Sequence, residues 1–164
     1  MQVMVAFWSL LFGLVLGSFY NVVIYRLPRG LSLVKPGSSC PICGHRLRAG
    51  ELIPVLSFLW QRGACRVCGE KISWRYPVVE LVTGLGFAFL AWTSSSWTEL
   101  AVGLVFFSFL LVLAFIDLDH QLLPNMLTLP GLGLGLIFSL LGWSISYGQS
   151  VLGAAVGFAV IVAI

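Results

Sequence analysis

Apolar runs of membrane-spanning length alternate with short polar breaks along most of this chain. The first, Val3 to Tyr25, contains no charged residue. At about 1.5 Å per residue it can cross a hydrocarbon core of about 30 Å. Ser18 and Asn21 interrupt its last turns, and an amide in a span needs a partner, so that face is expected to meet other helices. Pro28 and Gly30 end the run. A second apolar run, Val78 to Trp92, follows "RYPVVE", in which Pro77 suits a helix start and Glu80 falls in the first turn. "TSSSWTE" (93–99) reads as a polar turn with an interfacial tryptophan, and a third run, Leu100 to Ile116, leads straight into Asp117. From Gln121 to Ile164 there is no charge in 44 residues. That is room for two further spans, about Met126–Trp143 and Val151 onward, separated by "SISYGQS". The pattern predicts an all-α polytopic membrane protein of about five transmembrane helices.

Between the first two spans lies a different material, residues 26–76, rich in Pro, Gly, Arg and Cys. The pattern therefore divides the chain into a first span (1–25), a small polar insert (26–76) and a second membrane region (77–164). Composition supports this division. Of 164 residues, 59% are hydrophobic and 9% charged, with a mean hydropathy of +1.02; a soluble domain of this length carries far more charge. All nine basic residues fall between Arg26 and Arg75, and with Glu51 and Glu70 that segment nets +7. By the positive-inside rule the insert is cytoplasmic, and the N-terminus lies outside. A membrane loop accounts for the basic charge without a nucleic-acid partner. No basic region precedes the first span and no small-residue cleavage site follows it, so it reads as a retained span. Counting crossings from an outside N-terminus puts Asp117 on the same side as the insert.

The insert carries "CPICGH" (Cys40, Cys43) and "CRVCGE" (Cys65, Cys68), two C-x2-C pairs with 21 residues between them. This is close to the ribbon-type spacing for a structural zinc site, with a glycine behind each pair to permit the tight turn. Four thiolates close a tetrahedral site and leave no open position, so the zinc is expected to be structural. Two disulfides are the competing reading, disfavoured for a cytoplasmic insert. His45 is a further possible ligand, but four cysteines suffice, and a solvated or locally hydrogen-bonded state is expected for it.

Asp117 and Asp119 stand where the third span meets water. Carboxylates at a helix C-terminus sit at the unfavourable pole of the macrodipole, at a cost of a few tenths to about 1 kcal/mol. Two residues apart on a helix, they point about 200° from each other and cannot readily share one proton. Taken alone they read either as interfacial charges or as one half of an acid–base site whose other half lies elsewhere.

"GLVLGSFYNVVIYRLPRG", the block "SSCPICGHRLRAGELIPVLSFLWQRGACRVCGEKISWRYPVVELVTG" and "FIDLDHQLLPN" together resemble the type IV prepilin peptidase family, the leader peptidase/N-methyltransferases, collinearly over most of residues 10–130. The resemblance implies a multi-pass aspartic endopeptidase of the bacterial inner membrane. Its insert and active site would lie on the cytoplasmic side, and its substrates would be prepilins or pseudopilins. It also implies N-methylation of the new N-terminus with S-adenosylmethionine. Asp117 matches the first catalytic aspartate, Asp119 a supporting position, and Cys40, Cys43, Cys65 and Cys68 the zinc-binding loop.

The chain departs from the family in one respect. The second catalytic aspartate of the family lies in a G-x-G-D motif on a later span, and here no Asp or Glu follows Asp119. The glycine runs "PGLGLGL" and "LGAAVG" lack the acid and read as helix-packing glycines. The expectation is a chain cut short before that motif. The alternatives are a peptidase-dead, methyltransferase-type relative and a zinc-ribbon membrane adaptor of a pilus or secretion system. Among the remaining acids, Glu99 falls on the outer side and Glu80 at a helix start. Glu51 sits in the insert and is a candidate for the methyl-transfer pocket. No residue for the methyl donor can be assigned, since no glycine-rich nucleotide loop is present.

Overall fold

Six helices account for nearly all the regular structure in the computed structural model, which describes residues 2–163. They are α1 (Gln2–Arg26), α2 (Leu56–Trp60), α3 (Arg75–Thr93), α4 (Trp97–His120), α5 (Asn125–Leu140) and α6 (Tyr147–Ala163). Among the described residues no strand forms, and the insert holds two isolated antiparallel bridges, Ser39 with Arg46 and Ala64 with Lys71. α1, α3 and α4 are long and apolar enough to cross a membrane. α5 and α6 fall where the two further spans are expected, but are shorter, at 16 and 17 residues.

The helices outrun the apolar stretches that predicted them. α4 begins at Trp97 because Ser96 caps it, its Oγ accepting the Glu99 amide at 3.1 Å, while Glu99 Oε2 accepts the Ser95 amide at 2.8 Å. At the other end the helix continues past Ile116 and takes both aspartates into its last turn. It stops at Gln121, whose positive φ of 51° turns its amide onto the Asp117 carbonyl.

α1 and α3 are the most closely packed pair, and the reason is steric. An added Cβ at Gly13 would lie 2.8 Å from the Thr83 carbonyl, and one at Gly17 2.7 Å from the Glu80 Cα, so only glycine lets the backbones approach this far. Gly84 answers from α3, facing Leu14. The large residues of α1, among them Phe7, Trp8, Phe12 and Phe19, point outward and are exposed. Such a helix, with small residues inside and aromatic and aliphatic ones outside, is built for a lipid surround. The expected packing glycines of "PGLGLGL" and "LGAAVG" behave differently. Gly131 meets Phe109, but among the described residues Gly133, Gly135, Gly153 and Gly157 have nothing within 4 Å of an added Cβ. The close-packing motif is Gly13-x-x-x-Gly17.

α4 packs on this pair. Tyr20 of α1 donates a hydrogen bond to Ser108 Oγ of α4 at 2.7 Å. Near the insert end, Val23, Ile24, Val79, Leu111, Val112 and Ile116 form the apolar core. α5 follows on α4 and α6 on α5.

Candidate functional site

Two groups of chemistry-bearing residues lie at one end of the bundle. The first is the four-cysteine cluster, built by a structural repeat. In each half a cysteine amide bonds to the carbonyl five residues on, Cys40 to His45 at 2.9 Å and Cys65 to Glu70 at 2.8 Å. The glycine after each C-x2-C, Gly44 or Gly69, then turns back with φ of 71° or 73° and donates to the carbonyl of the first cysteine. These two turns face their sulfurs toward each other. Cys40 Sγ lies 3.7 Å from Cys68 Sγ, Cys43 Sγ lies 3.9 Å from Cys65 Sγ, and all four sulfurs fall within 4.8 Å of one another.

A tetrahedral zinc site with metal–sulfur bonds of about 2.3 Å has its sulfurs about 3.8 Å apart. The four cysteines therefore fit a zinc-ribbon insert, and they can hold a metal ion. The backbone is prepared for it. Amides of Cys43 and Ile42 bond to the Cys40 sulfur and bring that thiol down to about 7. Amides of Cys68 and Val67 lower Cys65 in the same way. At Cys68 the Glu70 amide also favours the thiolate, but desolvation and the three neighbouring sulfurs push it up to about 12. Four negative sulfurs this close need a cation among them.

His45 stays outside the cluster. Its Nε2 lies 3.2 Å from Glu51 Oε2, which also accepts the Arg48 amide at 2.8 Å. These bonds, the Arg48 amide first, hold the buried Glu51 carboxyl below its usual range.

The second group is the pair of aspartates. Asp117 directly follows Ile116, which is fully buried, so its backbone is anchored in the apolar core while the residue itself is exposed. Asp119 turns the other way and pairs with Arg75 at the start of α3. One residue on, His120 Nε2 lies 3.3 Å from the Arg29 guanidinium just after α1. The end of α4 is thus tied to the residues where the insert leaves α1 and enters α3. The ribbon and the aspartates share one end of the molecule, as the crossing count implied, and Asp117 and Asp119 do not form a dyad.

Three residues near the site make contacts whose partners the sequence did not indicate. Val55, with φ 62° and ψ −49°, centres a tight γ-turn of the rarer, strained hand, closed by the Leu56 amide on the Pro54 carbonyl at 2.6 Å. Its own amide donates to Glu80 Oε2 at 2.7 Å. Glu80, expected at a helix start, is therefore a buried clamp between insert and bundle. Asn21 is buried too, with Nδ2 donating to the Gly17 carbonyl at 3.3 Å and the Tyr76 carbonyl at 3.0 Å. Between the insert and the ends of α1 and α3 lies a cavity of about 540 Å³, bordered by Asn21, Glu51 and Glu80.

Residues 11–94 match the family described as Bacterial Peptidase A24 N-terminal domain, and residues 104–164 match the Type IV leader peptidase family. Among relatives named prepilin leader peptidase/N-methyltransferase, the chain is 52% identical over 149 residues to that of Myxococcus xanthus, covering 89% of this chain and 44% of the relative. It is 43% identical to that of Neisseria gonorrhoeae, covering 89% and 59%, and 42% identical to that of Klebsiella pneumoniae, covering 89% and 67%. The chain thus spans roughly half to two thirds of the length of these relatives. No solved structure matches it.

Proposed function

The chain belongs to the type IV leader peptidase family, and from that premise we propose that it works as a membrane aspartic endopeptidase. Its substrates are prepilins and pseudopilins, cut at the cytoplasmic face of a bacterial inner membrane. Asp117 is one of the two catalytic carboxylates. What supports this most is its placement: an exposed acid fixed to the buried Ile116, at the end of the bundle that carries the basic insert. Asp119 is committed to Arg75 and acts as a positioning residue. No Asp or Glu follows Asp119, and the second carboxylate is left unassigned within these 164 residues, which span 44% and 59% of two relatives.

Paired aspartates a few ångströms apart share one proton, because two negative charges that close are unfavourable. The ionised member takes a proton from water, and the protonated member polarises the scissile carbonyl. A site at the membrane rim suits a substrate whose leader is in the cytosol and whose following helix is in the bilayer.

The four cysteines hold structural zinc, which stabilises an insert with few core side chains of its own; such sites contribute an apparent 10–16 kcal/mol, roughly, in small modules. The relatives' name also supports N-methylation of the new N-terminus. When bound, S-adenosylmethionine supplies the methyl group.

The test is leader removal from a prepilin in membranes carrying the longest polypeptide that contains this sequence, read as the mass of the product. A product shortened by the leader is the expected result. An uncut prepilin alongside normal membrane levels of the protein overturns the peptidase reading.

A further inference from the structure

The insert is strongly basic, yet its middle carries no charge. Residues 52–61, "LIPVLSFLWQ", are uncharged between Glu51 and Arg62. In a water-soluble module such a segment turns its apolar side chains inward, and here only part of it does so. Phe58 is buried, its ring 4.7 Å from that of Trp74 and its tip close to Gly63. Leu52, Ile53, Leu56, Leu59 and Trp60 are exposed, the last two at 58% and 63%. Leu56, Leu59 and Trp60, spaced i, i+3, i+4, share one face of α2. Apolar exposure concentrated in one short segment marks an interaction surface.

α2 is held at a definite height on the bundle. Val55, which precedes it, donates its amide to Glu80 Oε2 at 2.7 Å, and Glu80 lies about 7 Å into α3 at 1.5 Å per residue. Phe58 packs on Trp74, the residue before α3 begins. These two anchors set α2 beside the first turns of α3, where the membrane helices leave the hydrocarbon. Exposed aromatic residues mark the same level: Tyr25 beside the end of α1, and Trp74 and Tyr76 on either side of Arg75. Tyrosine and tryptophan gather where hydrocarbon meets headgroups. Directly after α2, Arg62 is exposed, has a positive φ of 51° and makes no ion pair among the described residues.

We propose that the insert docks on the bilayer through this segment. The exposed face of α2, with Leu52 and Ile53 before it, enters the headgroup–hydrocarbon boundary of an anionic leaflet. Leu56 and Leu59 lie below the headgroups, Trp60 lies among them, and Arg62 meets their phosphates. The bilayer is the occupant because the anchors fix the patch at the membrane surface, and because an insert with a net charge of +7 complements anionic lipid. The ribbon is then held at the Asp117 end of the bundle by lipid as well as by its two chain connections. The proposal requires only that the chain spans a membrane, and it holds whichever chemistry Asp117 performs.

The experiment places a photoreactive residue in the segment. It uses the longest polypeptide containing this sequence, zinc-loaded and reconstituted in vesicles of phosphatidylethanolamine and phosphatidylglycerol. Trp60→p-benzoylphenylalanine is expected to give mainly lipid adducts, read by mass as protein plus one phospholipid. The same probe at Ile42, exposed on the first cysteine turn, is expected to give about tenfold fewer. Zinc content and melting temperature report that both variants are folded. Cross-links from position 60 to another part of the same chain, or to an added prepilin, overturn the proposal. Lipid adducts no more frequent than at Ile42 overturn it as well. The wild type gives a reading that needs no substitution. Labelled in the same vesicles with a hydrocarbon-soluble carbene reagent, it is expected to carry label in residues 52–61 as well as in the membrane helices. Label confined to the membrane helices overturns the proposal.

Discussion

Arg75, the first residue of α3, is paired with Asp119 in the last turn of α4. The pair fixes the carboxylate-bearing end of one helix to the point where the insert re-enters the bundle. Both side chains remain about a quarter exposed, at 24% and 28%. A pair of this kind contributes up to about 1 kcal/mol. Asp119→Asn is therefore expected to slow leader cleavage by less than about tenfold, within what 1.4 kcal/mol allows. Rate measurements in membranes check this, and Arg75→Gln should give a defect of similar size.

Glu80 accepts the amide of Val55 at the strained turn that joins the insert to the bundle. Removing the acceptor with Glu80→Ala leaves that amide unpaired, at a cost of about 1–3 kcal/mol. Glu80→Gln keeps an acceptor oxygen and should lose less. Thermal melting in detergent separates the two. Val55→Gly is expected to raise stability, since glycine adopts a positive φ without the penalty a β-branched residue carries.

Gly17 and Gly133 make opposite predictions from the same substitution. A methyl at Gly17 meets the backbone of Glu80, whereas one at Gly133 meets nothing within 4 Å among the described residues. Gly17→Ala should destabilise by about 1–3 kcal/mol through forced separation of α1 and α3. Gly133→Ala should be neutral or slightly stabilising, because alanine is the better helix former.

Glu51 supplies the pH dependence. Its carboxyl is held below the usual range, chiefly by the Arg48 amide and then by His45, so the stabilisation it gives requires the ionised form. That contribution is complete above the ordinary glutamate value of about 4.3 and is lost as pH falls through the lowered one. Glu51→Gln should make the insert more protease-sensitive at about pH 5 and above, and the difference from wild type should vanish in stronger acid. Proteolysis half-lives at saturating zinc, measured at each pH, test the sign.

Metal removal should act on the insert and spare the bundle. The zinc-loaded protein is expected to hold one ion per chain, and Cys40→Ser or a strong chelator should release it. Residues between 31 and 74 then become cleavable while α1 and α3 stay packed through Gly13 and Gly17. Metal analysis and mapping of protease cuts provide the check.

Much of this architecture was legible in the sequence, because its signals are local. An uncharged run announces a membrane helix wherever it lies, and a C-x2-C followed by glycine announces its own turn. The repeat at Cys40 and Cys65 needed only counting. The boundaries were less legible, since α4 tolerates charges once it reaches water, and only the Ser96 cap and the positive φ of Gln121 define its ends. The contacts that assemble the site had no local signal at all. Asn21 reaches Tyr76 across 55 positions and Arg75 reaches Asp119 across 44, and no spacing rule joins such residues. Nor could composition separate Gly13 and Gly17, which touch a neighbouring helix, from Gly133 and Gly135, which touch none among the described residues.

The central claim is that Asp117, and not its neighbour, performs chemistry. The most direct measurement is the rate of prepilin leader removal, in membranes, by the longest polypeptide carrying Asp117→Asn, compared at equal protein level with wild type and Asp119→Asn. The account predicts that Asp117→Asn abolishes cleavage while Asp119→Asn retains a measurable rate. Cleavage near the wild-type rate by Asp117→Asn would contradict it and return Asp117 to the role of an interfacial charge.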